Sequence, residues 1–490
     1  MNKFKNIPLF VDLDGTLIST DTLLESLVLF IKKYPLKIFK IFLWLMQGKA
    51  MFKYNIAKAI IPQAKLLPYR KAVLDHLKKE RDTGRKIYLL TAANQKIANS
   101  VAKHLGIFDG VFGSTKNLNL SGIEKVKTIK KDITTGQFDY IGNSREDLIV
   151  WEKANKKILV DTKNRIENKL SSKDNTHILV NRKSMFSIKL LLRGMRLHQW
   201  SKNILLFLPI LMAHQLTNTE SILSVIWAFL SFSLCASSVY IFNDLLDVET
   251  DRKHPTKRNR PLASGAMSII TGIFLIVFLL CMGIGIAIVK LSTTFLFILF
   301  IYMISTTAYS LVLKQILLID VIVLGGLYTL RVVAGSVASM VEVSSWLLVF
   351  SMFFFLSLAF MKRYADLILM KKNKYKSIAG RGYSIADLDL VQKTGVTSGF
   401  VSILVLALYI NSIHVIELYK SPILIWFTLP VLLYWLMRMW MVTNRGEMTD
   451  DPIIYAAKDK ISYVSISIII IIMFLAATID KEIFNHLHII

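Results

Sequence analysis

The chain has little cysteine and little acid. Only Cys235 and Cys281 occur in 490 residues. Both lie inside apolar runs, which excludes a disulfide framework or a cysteine-based zinc pattern and leaves them as packing residues. Asp and Glu number 34 against 60 Lys and Arg, a formal net charge of +26. Such an imbalance points to an anionic partner, either nucleic acid or an anionic membrane leaflet. Nucleic acid is the poorer fit, because 53% of the residues are hydrophobic. No repeat of fixed period is evident. The N-terminus, Met1-Asn2-Lys3-Phe4-Lys5, leads into a strand pattern and not into a signal-peptide pattern.

Hydrophobicity is unevenly distributed. Residues 1–160 alternate charged and apolar segments, as a soluble domain does, and hold 28 Lys and Arg against 14 Asp and Glu. From about residue 186 onward, charge is confined to the breaks between long apolar runs. Nine such runs lie near 203–222, 223–243, 268–289, 292–313, 316–338, 345–361, 396–416, 421–437 and 461–479, most of them close to the ~20 residues that cross a bilayer core. The breaks after the second, fourth, sixth and eighth runs carry 18 Lys and Arg. The other breaks and the tail carry only Lys290, Lys420 and Lys481. By the positive-inside rule the basic breaks and the soluble half are cytoplasmic, which predicts an integral protein of a bacterial inner membrane. The Lys371 to Lys376 run reads as an anchoring patch, and Asp387 and Asp389 as solvated acids.

In the soluble half, Leu9-Phe10-Val11 reads as a short apolar strand with Asp12-Leu13-Asp14-Gly15-Thr16 at its C-terminal end. Carboxylates two positions apart at a strand tip can both face the crevice where open α/β sheets bind ligands. Lys86 to Leu90, ending at Thr91, and Phe138 to Ile141, ending at Gly142-Asn143-Ser144, predict further strands. Helical patterns between them predict a doubly wound parallel sheet. The polar stretch 162–187 reads as a linker between a domain at 1–161 and a membrane domain at 188–490.

These motifs resemble the haloacid dehalogenase-like (HAD) phosphohydrolases over about residues 7–160. The resemblance implies an α/β fold with a helical cap at roughly 20–80. It implies that Asp12 is the nucleophile forming an aspartyl-phosphate, Asp14 the general acid/base, Thr91 a phosphate-binding hydroxyl and Lys125 the charge-neutralising lysine. Asp12, Asp14, Asn143 and Asp147 would hold Mg2+. Asn143 stands where the family usually has an acid and supplies less charge, so a degenerate or regulatory domain is the alternative. Within the cap, Ile38 to Met46 is amphipathic and either touches the bilayer surface or packs as a core helix.

The segment Asn243-Asp244-Leu245-Leu246-Asp247-Val248-Glu249-Thr250-Asp251 lies between two long apolar runs. Carboxylates at the mouth of a span are costly unless they meet cations or water. Asp244, Asp247 and Asp251 recur at i, i+3 and i+7, so a helix continuing through them puts all three on one face. Such oxygen ligands suit Mg2+ shared with substrate phosphates. The Lys and Arg that follow, from Arg252 to Arg260, suit the phosphates themselves. The plain alternative is a solvated positive-inside loop.

From about Leu197 to Lys460 the chain resembles the UbiA superfamily of intramembrane prenyltransferases. That resemblance implies an all-α domain of nine transmembrane helices around a lipid-accessible cavity, with Mg2+ binding a diphosphate. The run Asp251 to Pro261 is more similar to the polyprenyl-phosphate phosphoribosyltransferases, the decaprenyl-phosphate type, as are Arg196 to Asn203, Tyr309 to Lys314, Leu330 to Gly335 and Lys362 to Asp366. The second aspartate cluster of aromatic prenyltransferases is reduced to Asp320, for Val321 to Leu324 add no acid. The implied donor is phosphoribosyl pyrophosphate and the implied acceptor a polyprenyl phosphate. Asn243 and the Mg2+ ligands Asp244, Asp247 and Asp251 would meet the diphosphate. Lys253, Lys257, Arg258 and Arg260 would contact diphosphate or 5-phosphate, and Lys202, Lys314, Lys362 and Arg363 the lipid phosphate. Asp320 and Arg331 either contact substrate or pair with each other. Tyr309 and Tyr364 either belong to the site or form an interfacial belt. The expected whole is a bifunctional enzyme whose HAD half removes the 5-phosphate that the membrane half delivers. Two alternatives stand: prenyl transfer from a prenyl diphosphate to an aromatic or lipid acceptor, and a lipid-binding or transport protein with a regulatory HAD domain.

Overall fold

The computed structural model describes residues 7–132, 136–171, 175–181, 187–254, 256–342, 344–372, 382–448 and 451–479. Asp450 and the part of the basic run beyond Lys372 lie outside them. The chain divides into two compact units, Met1–Met195 with Ile241–Leu275, and Arg196–Tyr240 with Ile276–Ile490.

The first unit is built on a six-stranded parallel sheet: β1 (Leu9–Val11), β2 (Ile87–Asn94), β3 (Gly110–Ser114), β4 (Asp139–Gly142), β5 (Lys157–Val160) and β6 (Thr176–Val180). Its order, β3-β2-β1-β4-β5-β6, makes β1 the strand from which the winding proceeds in both directions. Leu9, Phe10 and Val11 are all buried, because helices cover both faces of a parallel sheet and an unbroken apolar run is what such a strand needs. Val11 pairs with Leu89 of β2 and Ile141 of β4. The residues just past these three positions therefore emerge together at the C-terminal edge of the sheet. Three helices, α1 (Thr22–Lys33), α2 (Phe39–Met46) and α3 (Lys49–Ala59), form the insertion after β1. The expected doubly wound sheet with a helical cap is present. The expected linker is not plain chain: Asn164–Ser171 is helical, and β6 pairs in parallel with β5. Five residues of mixed polarity gave little strand signal, and the pairing with β5 decides their state.

The helical region contains eight helices, among the described residues, that are long and apolar enough to cross a membrane: Thr219–Leu246, Ile269–Lys290, Thr293–Leu311, Ile319–Ser339, Ser345–Lys372, Ile385–Ile410, Pro422–Asn444 and Lys460–Thr478. The first of the nine expected runs differs. It is broken into a 3-10 segment, Leu197–Phe207, and a short helix, Leu208–Met212. Pro209 removes one backbone donor, and the polar residues from His214 to Asn218 end the apolar run. This segment packs closely on Ile319–Ser339. A Cβ on Gly335 would lie 2.1 Å from the Leu206 carbonyl oxygen, so only glycine fits there. The interior of the second unit is otherwise apolar, with Phe232, Phe295, Val332 and Met439 buried, and it encloses a few polar clusters.

Candidate active sites

In the first unit, the C-terminal edge of the sheet opens into a cavity of about 450 Å³. Asp12, Asp14, Thr91, Lys125 and Asn143 all line it, so five of the six residues expected there converge. Lys125 Nζ donates to Asp12 Oδ1 (3.0 Å), Asp147 Oδ1 (3.0 Å) and the Tyr140 hydroxyl (2.7 Å). Asp14 faces the start of α1, accepting from Thr22 N at 2.8 Å and Thr22 Oγ1 at 3.2 Å. Thr91 Oγ1 accepts from Ala93 N at 3.0 Å. Burial pushes the Asp12 carboxyl up to about 6 against the opposing pull of Lys125. Burial, reinforced by Asp21 and Asp12, holds Asp14 well above the usual carboxylate range. Neighbouring carboxyls thus differ: Asp12 faces an ammonium and has the character of a nucleophile, while burial and the acids around Asp14 favour its protonated form and give it the character of an acid.

Asp147, the sixth residue, does not line the cavity. Its Oδ1 receives Lys125 and the Tyr140 hydroxyl (2.6 Å), and its Oδ2 receives Ser144 N (3.0 Å), Ser144 Oγ (2.9 Å) and Asn143 N (3.2 Å). Burial opposes its ionisation, but Lys125, Tyr140 and Ser144 hold its carboxyl below the usual range. In this arrangement Asp147 anchors Lys125 and the Asn143 loop. The oxygens facing the cavity for a metal are those of Asp12, Asp14 and Asn143. That donor set carries little charge yet fits an ion such as Mg2+, which completes its shell with water and phosphate oxygens. Gly15 makes room for the amide: at φ +74°, its Cβ would fall 2.0 Å from Asn143 Nδ2.

The aspartate-rich segment also belongs to the first unit. Its helix does not continue evenly. Thr219–Leu246 ends before Asp247, and a short helix, Val248–Lys253, follows. The carboxylates therefore separate into two environments. Asp244 and Asp251 converge on Arg260 Nη1, at 3.0 and 2.6 Å, and both are buried. Asp247 accepts instead from Lys32 Nζ of α1 at 2.7 Å. Asn243 Oδ1 is buried with no hydrogen-bond partner. An orphaned oxygen on the residue next to Asp244, and two carboxylates that share one cation, fit a segment able to exchange that cation for a metal ion. Lys253, Lys257 and Arg258 lie exposed on the adjoining loop. Among the described residues, no three His, Cys, Asp or Glu side chains gather into a metal cage of their own.

In the second unit, Lys202 and Lys362 meet on one acid. Both donate to Asp451 Oδ2, at 2.9 and 2.8 Å, and the Tyr328 hydroxyl donates to the same carboxylate at 3.3 Å. Burial opposes ionisation of Asp451, but the two ammonium groups hold its carboxyl well below the usual range. Asp320 and Arg331, which share a helix, do not pair. The Arg363 guanidinium holds Asp320, also donates to Asp366 (2.5 Å) and is fully buried. Tyr309 donates to Asp320 at 2.7 Å. Arg331 donates to Asn203 Oδ1 (2.9 Å), Tyr302 (2.9 Å) and the Leu327 carbonyl (2.6 Å). The helix turn puts Asp320 and Arg331 on roughly one face but three turns apart, and each finds a partner on another element. Lys314 sits half-buried in the one-turn helix Leu313–Gln315. Tyr364 is buried and donates to Asn444 Oδ1 at 2.6 Å, so it is no interfacial belt residue.

Sequence reasoning noted the Asp450-Asp451-Pro452 segment without giving Asp451 a role, and overlooked Glu25, Lys32 and Lys53. Lys53 of α3 lines the cavity and donates to the Ala92 carbonyl at 2.7 Å and Asn119 Oδ1 at 2.9 Å, and burial lowers its pKa. Asp451 stood in a visible acidic pair. Glu25 is the last acid before an acid-free stretch that runs to Asp75, the one hint that its charge is engaged.

Residues 204–476 match the UbiA prenyltransferase family. The chain is 36% identical to the uncharacterized protein y4nM of Sinorhizobium fredii, over 94% of this chain and 89% of that one. It is 33% identical to the nodulation protein NoeC of Azorhizobium caulinodans, over 55% of this chain and 88% of that protein. It is 33% identical to the decaprenyl-phosphate phosphoribosyltransferase of Corynebacterium glutamicum, over 38% of this chain and 57% of that enzyme. With eight helices able to span a bilayer among the described residues, and with a family match over more than half its length, the chain is an integral membrane protein that belongs to the UbiA prenyltransferase family.

Proposed function

We propose that the chain transfers 5-phosphoribose from phosphoribosyl pyrophosphate to a polyprenyl phosphate at a bacterial inner membrane, and that its N-terminal domain then removes the 5-phosphate on the cytoplasmic side. A lipid-phosphate oxygen attacks the anomeric carbon, the bond from that carbon to the diphosphate breaks, and the diphosphate leaves with the electron pair. Asp244 and Asp251, with Asn243 next to Asp244 in sequence, would hold Mg2+, which would neutralise charge on the departing diphosphate. Arg260 is poised to exchange its carboxylates for phosphate oxygens, and Lys253, Lys257 and Arg258 extend the same basic loop. Lys202 and Lys362 would bind the lipid phosphate. In the N-terminal cavity, Asp12 would take the 5-phosphate as an aspartyl-phosphate while Asp14 protonates the leaving ribose oxygen.

The observation that carries this reading is the pair of buried carboxylates, Asp244 and Asp251, bridged by Arg260 in a segment followed by four further basic side chains. The likeness to the C. glutamicum decaprenyl-phosphate phosphoribosyltransferase supports the choice of donor and acceptor. The rival within the family, prenyl transfer from a prenyl diphosphate, ordinarily uses a second aspartate cluster. Here Asp320 is held by Arg363 and has no acid among the next four residues.

The test uses full-length protein in lipid with Mg2+, polyprenyl phosphate and labelled phosphoribosyl pyrophosphate. The expected result is labelled lipid that is lost in Asp244→Asn and that keeps its 5-phosphate in Asp12→Asn. Diphosphate release from a prenyl diphosphate, with no labelled lipid at any chain length, would replace this reading with prenyl transfer. Full function of Asp244→Asn would point to a non-enzymatic lipid-binding or transport role.

A further inference from the structure

The helical insertion after β1 carries an apolar face that the fold leaves uncovered. None of the side chains of α2 is buried. Leu36 just before it is 91% exposed, and along it Phe39, Phe42 and Met46 are 58%, 66% and 87% exposed. Leu43 and Leu45 are exposed as well. Only Ile41 and Trp44 face inward, against Phe30, Phe52 and Ile56, with the Trp44 and Phe30 rings 5.3 Å apart. The helix is thus anchored through two residues and presents the others outward. An extramembrane surface seldom tolerates so contiguous an apolar patch unless something covers it.

Charge identifies what covers it. Between Glu25 and Asp75 the sequence has ten Lys and Arg and no acid. Lys37 and Lys40 flank the patch itself. A helix with apolar residues outward and lysines at its margin lies in the headgroup plane of a membrane, where the stems stay with the acyl chains and the ammonium groups meet anionic lipid. A second copy of this face would bring like charges together. A bilayer is the partner this chain always has, since the described residues of the same polypeptide include eight helices able to span one.

We propose that α2 inserts into the surface of a bilayer containing anionic lipid, and that the phosphatase cavity thereby serves phosphate esters carried on lipids. The insertion that bears α2 also builds the cavity wall: Leu23 and Leu24 of α1, with Lys53 and Ile56 of α3, line it, and α3 shares with α2 the Phe52–Ile56 cluster. Docking of α2 fixes the height of that wall above the membrane, the level at which a lipid-linked phosphate is presented. The docking half stands on exposure and charge alone; the substrate half rests on the proposed phosphatase role.

The experiment uses the full-length protein in nanodiscs of phosphatidylcholine with phosphatidylglycerol. Nitroxides are placed at F42C, M46C and, as a control on an exposed helix elsewhere in the unit, K79C. All are built on Cys281→Ala, in which the remaining Cys235 is buried. The expected result is several-fold more collision with oxygen and several-fold less with a soluble nickel chelate at 42 and 46 than at 79, with a smaller contrast when the lipid is all phosphatidylcholine. Equal nickel access at all three sites would overturn docking. Low access to both oxygen and nickel at 42 and 46 would also overturn it, by indicating a protein partner. For the substrate half, the double variant F42D/M46D should raise KM for a lipid-borne phosphate ester about tenfold and leave hydrolysis of soluble p-nitrophenyl phosphate unchanged. Equal effects on both esters would overturn that half. A parent protein that hydrolyses neither would remove the phosphatase reading, while docking stands or falls on the collision data.

Discussion

Arg252 grips Glu25 with both arms of its guanidinium, Nη1 to Oε2 at 2.9 Å and Nη2 to Oε1 at 2.6 Å, and both side chains are buried. The third guanidinium nitrogen, Nε, donates to the Ala263 carbonyl at 2.8 Å. The residue that follows the aspartate-rich segment is thereby fastened to the first helix after the Asp12 loop. Two further bonds add to the attachment: Lys32 to Asp247 at 2.7 Å, and Gln63 N to Glu249 at 2.8 Å.

A buried pair of this kind is costly to break from one side, because the survivor keeps an uncompensated charge. Arg252→Ala is expected to destabilise the protein by about 3–5 kcal/mol. The double variant E25Q/R252Q, which strands no charge, should cost distinctly less. Thermal unfolding in detergent measures both, and equal losses would show that the ion pair is not what holds the segment.

Arg260 competes with any metal for Asp244 and Asp251. Asp244→Asn and Asp251→Asn should each slow phosphoribosyl transfer on the order of a hundredfold, equivalent to about 3 kcal/mol. Arg260→Ala should move two binding constants in opposite directions, tightening Mg2+ and weakening phosphoribosyl pyrophosphate. Isothermal titration of each ligand reads this, and parallel weakening of both would contradict the competition.

Asp451 neutralises Lys202 and Lys362 together. Asp451→Asn leaves the buried Lys202 and the half-buried Lys362 ammonium groups without their shared acid, so the unliganded protein should lose stability on the order of 3 kcal/mol. A phosphate-bearing lipid replaces the missing negative charge. Polyprenyl phosphate should therefore raise Tm more in this variant than in the parent, and equal shifts would argue against lipid-phosphate binding by these lysines.

In the N-terminal cavity, the metal-free carboxyl of Asp12 titrates at about 6. Its folded pKa lies above the unfolded value. The stability associated with the protonated form is therefore present at low pH and declines as pH rises from about 4 through 6. A metal binds the ionised form, so Mg2+ affinity should weaken about tenfold per unit as pH falls below about 6. Titrating Mg2+ between pH 5 and 7.5 in a background lacking Asp244 isolates this site. A flat dependence would show that Asp12 is already ionised.

Asn143→Asp restores a carboxylate at the cavity wall beside Asp12 and Asp14. Mg2+ should bind about tenfold more tightly, a change of about 1.4 kcal/mol. Phosphatase turnover should rise if metal occupancy limits it. Unchanged affinity would mean that Asn143 is not among the ligating groups.

Much of this architecture was legible in the sequence, for reasons that are local. The unbroken apolar run Leu9-Phe10-Val11 followed by Asp12 and Asp14 declares a central parallel strand with acids at its tip. Apolar runs of about 20 residues declare membrane helices. Convergence of Asp12, Thr91 and Asn143 followed from strands meeting at one sheet edge, while Lys125 comes to them from the helix Ile123–Asp132. What depended on distant partners was not legible. The i, i+3, i+7 spacing of Asp244, Asp247 and Asp251 promised one face, but the helix breaks before Asp247, and Lys32, more than 200 residues earlier in the chain, takes that carboxylate. Asp320 and Arg331 shared a helix and seemed a natural pair, yet Arg363 reaches Asp320 first. Asp147 carried a motif, but Lys125 from another helix joins the nearby Tyr140 and Ser144 on its oxygens. Periodicity and composition act along the chain, so the sequence by itself determined the central strands, most of the spans and the residue types of the sites. A buried charge takes its partner from whichever element packs against it, so only the tertiary structure decided which acid meets which cation.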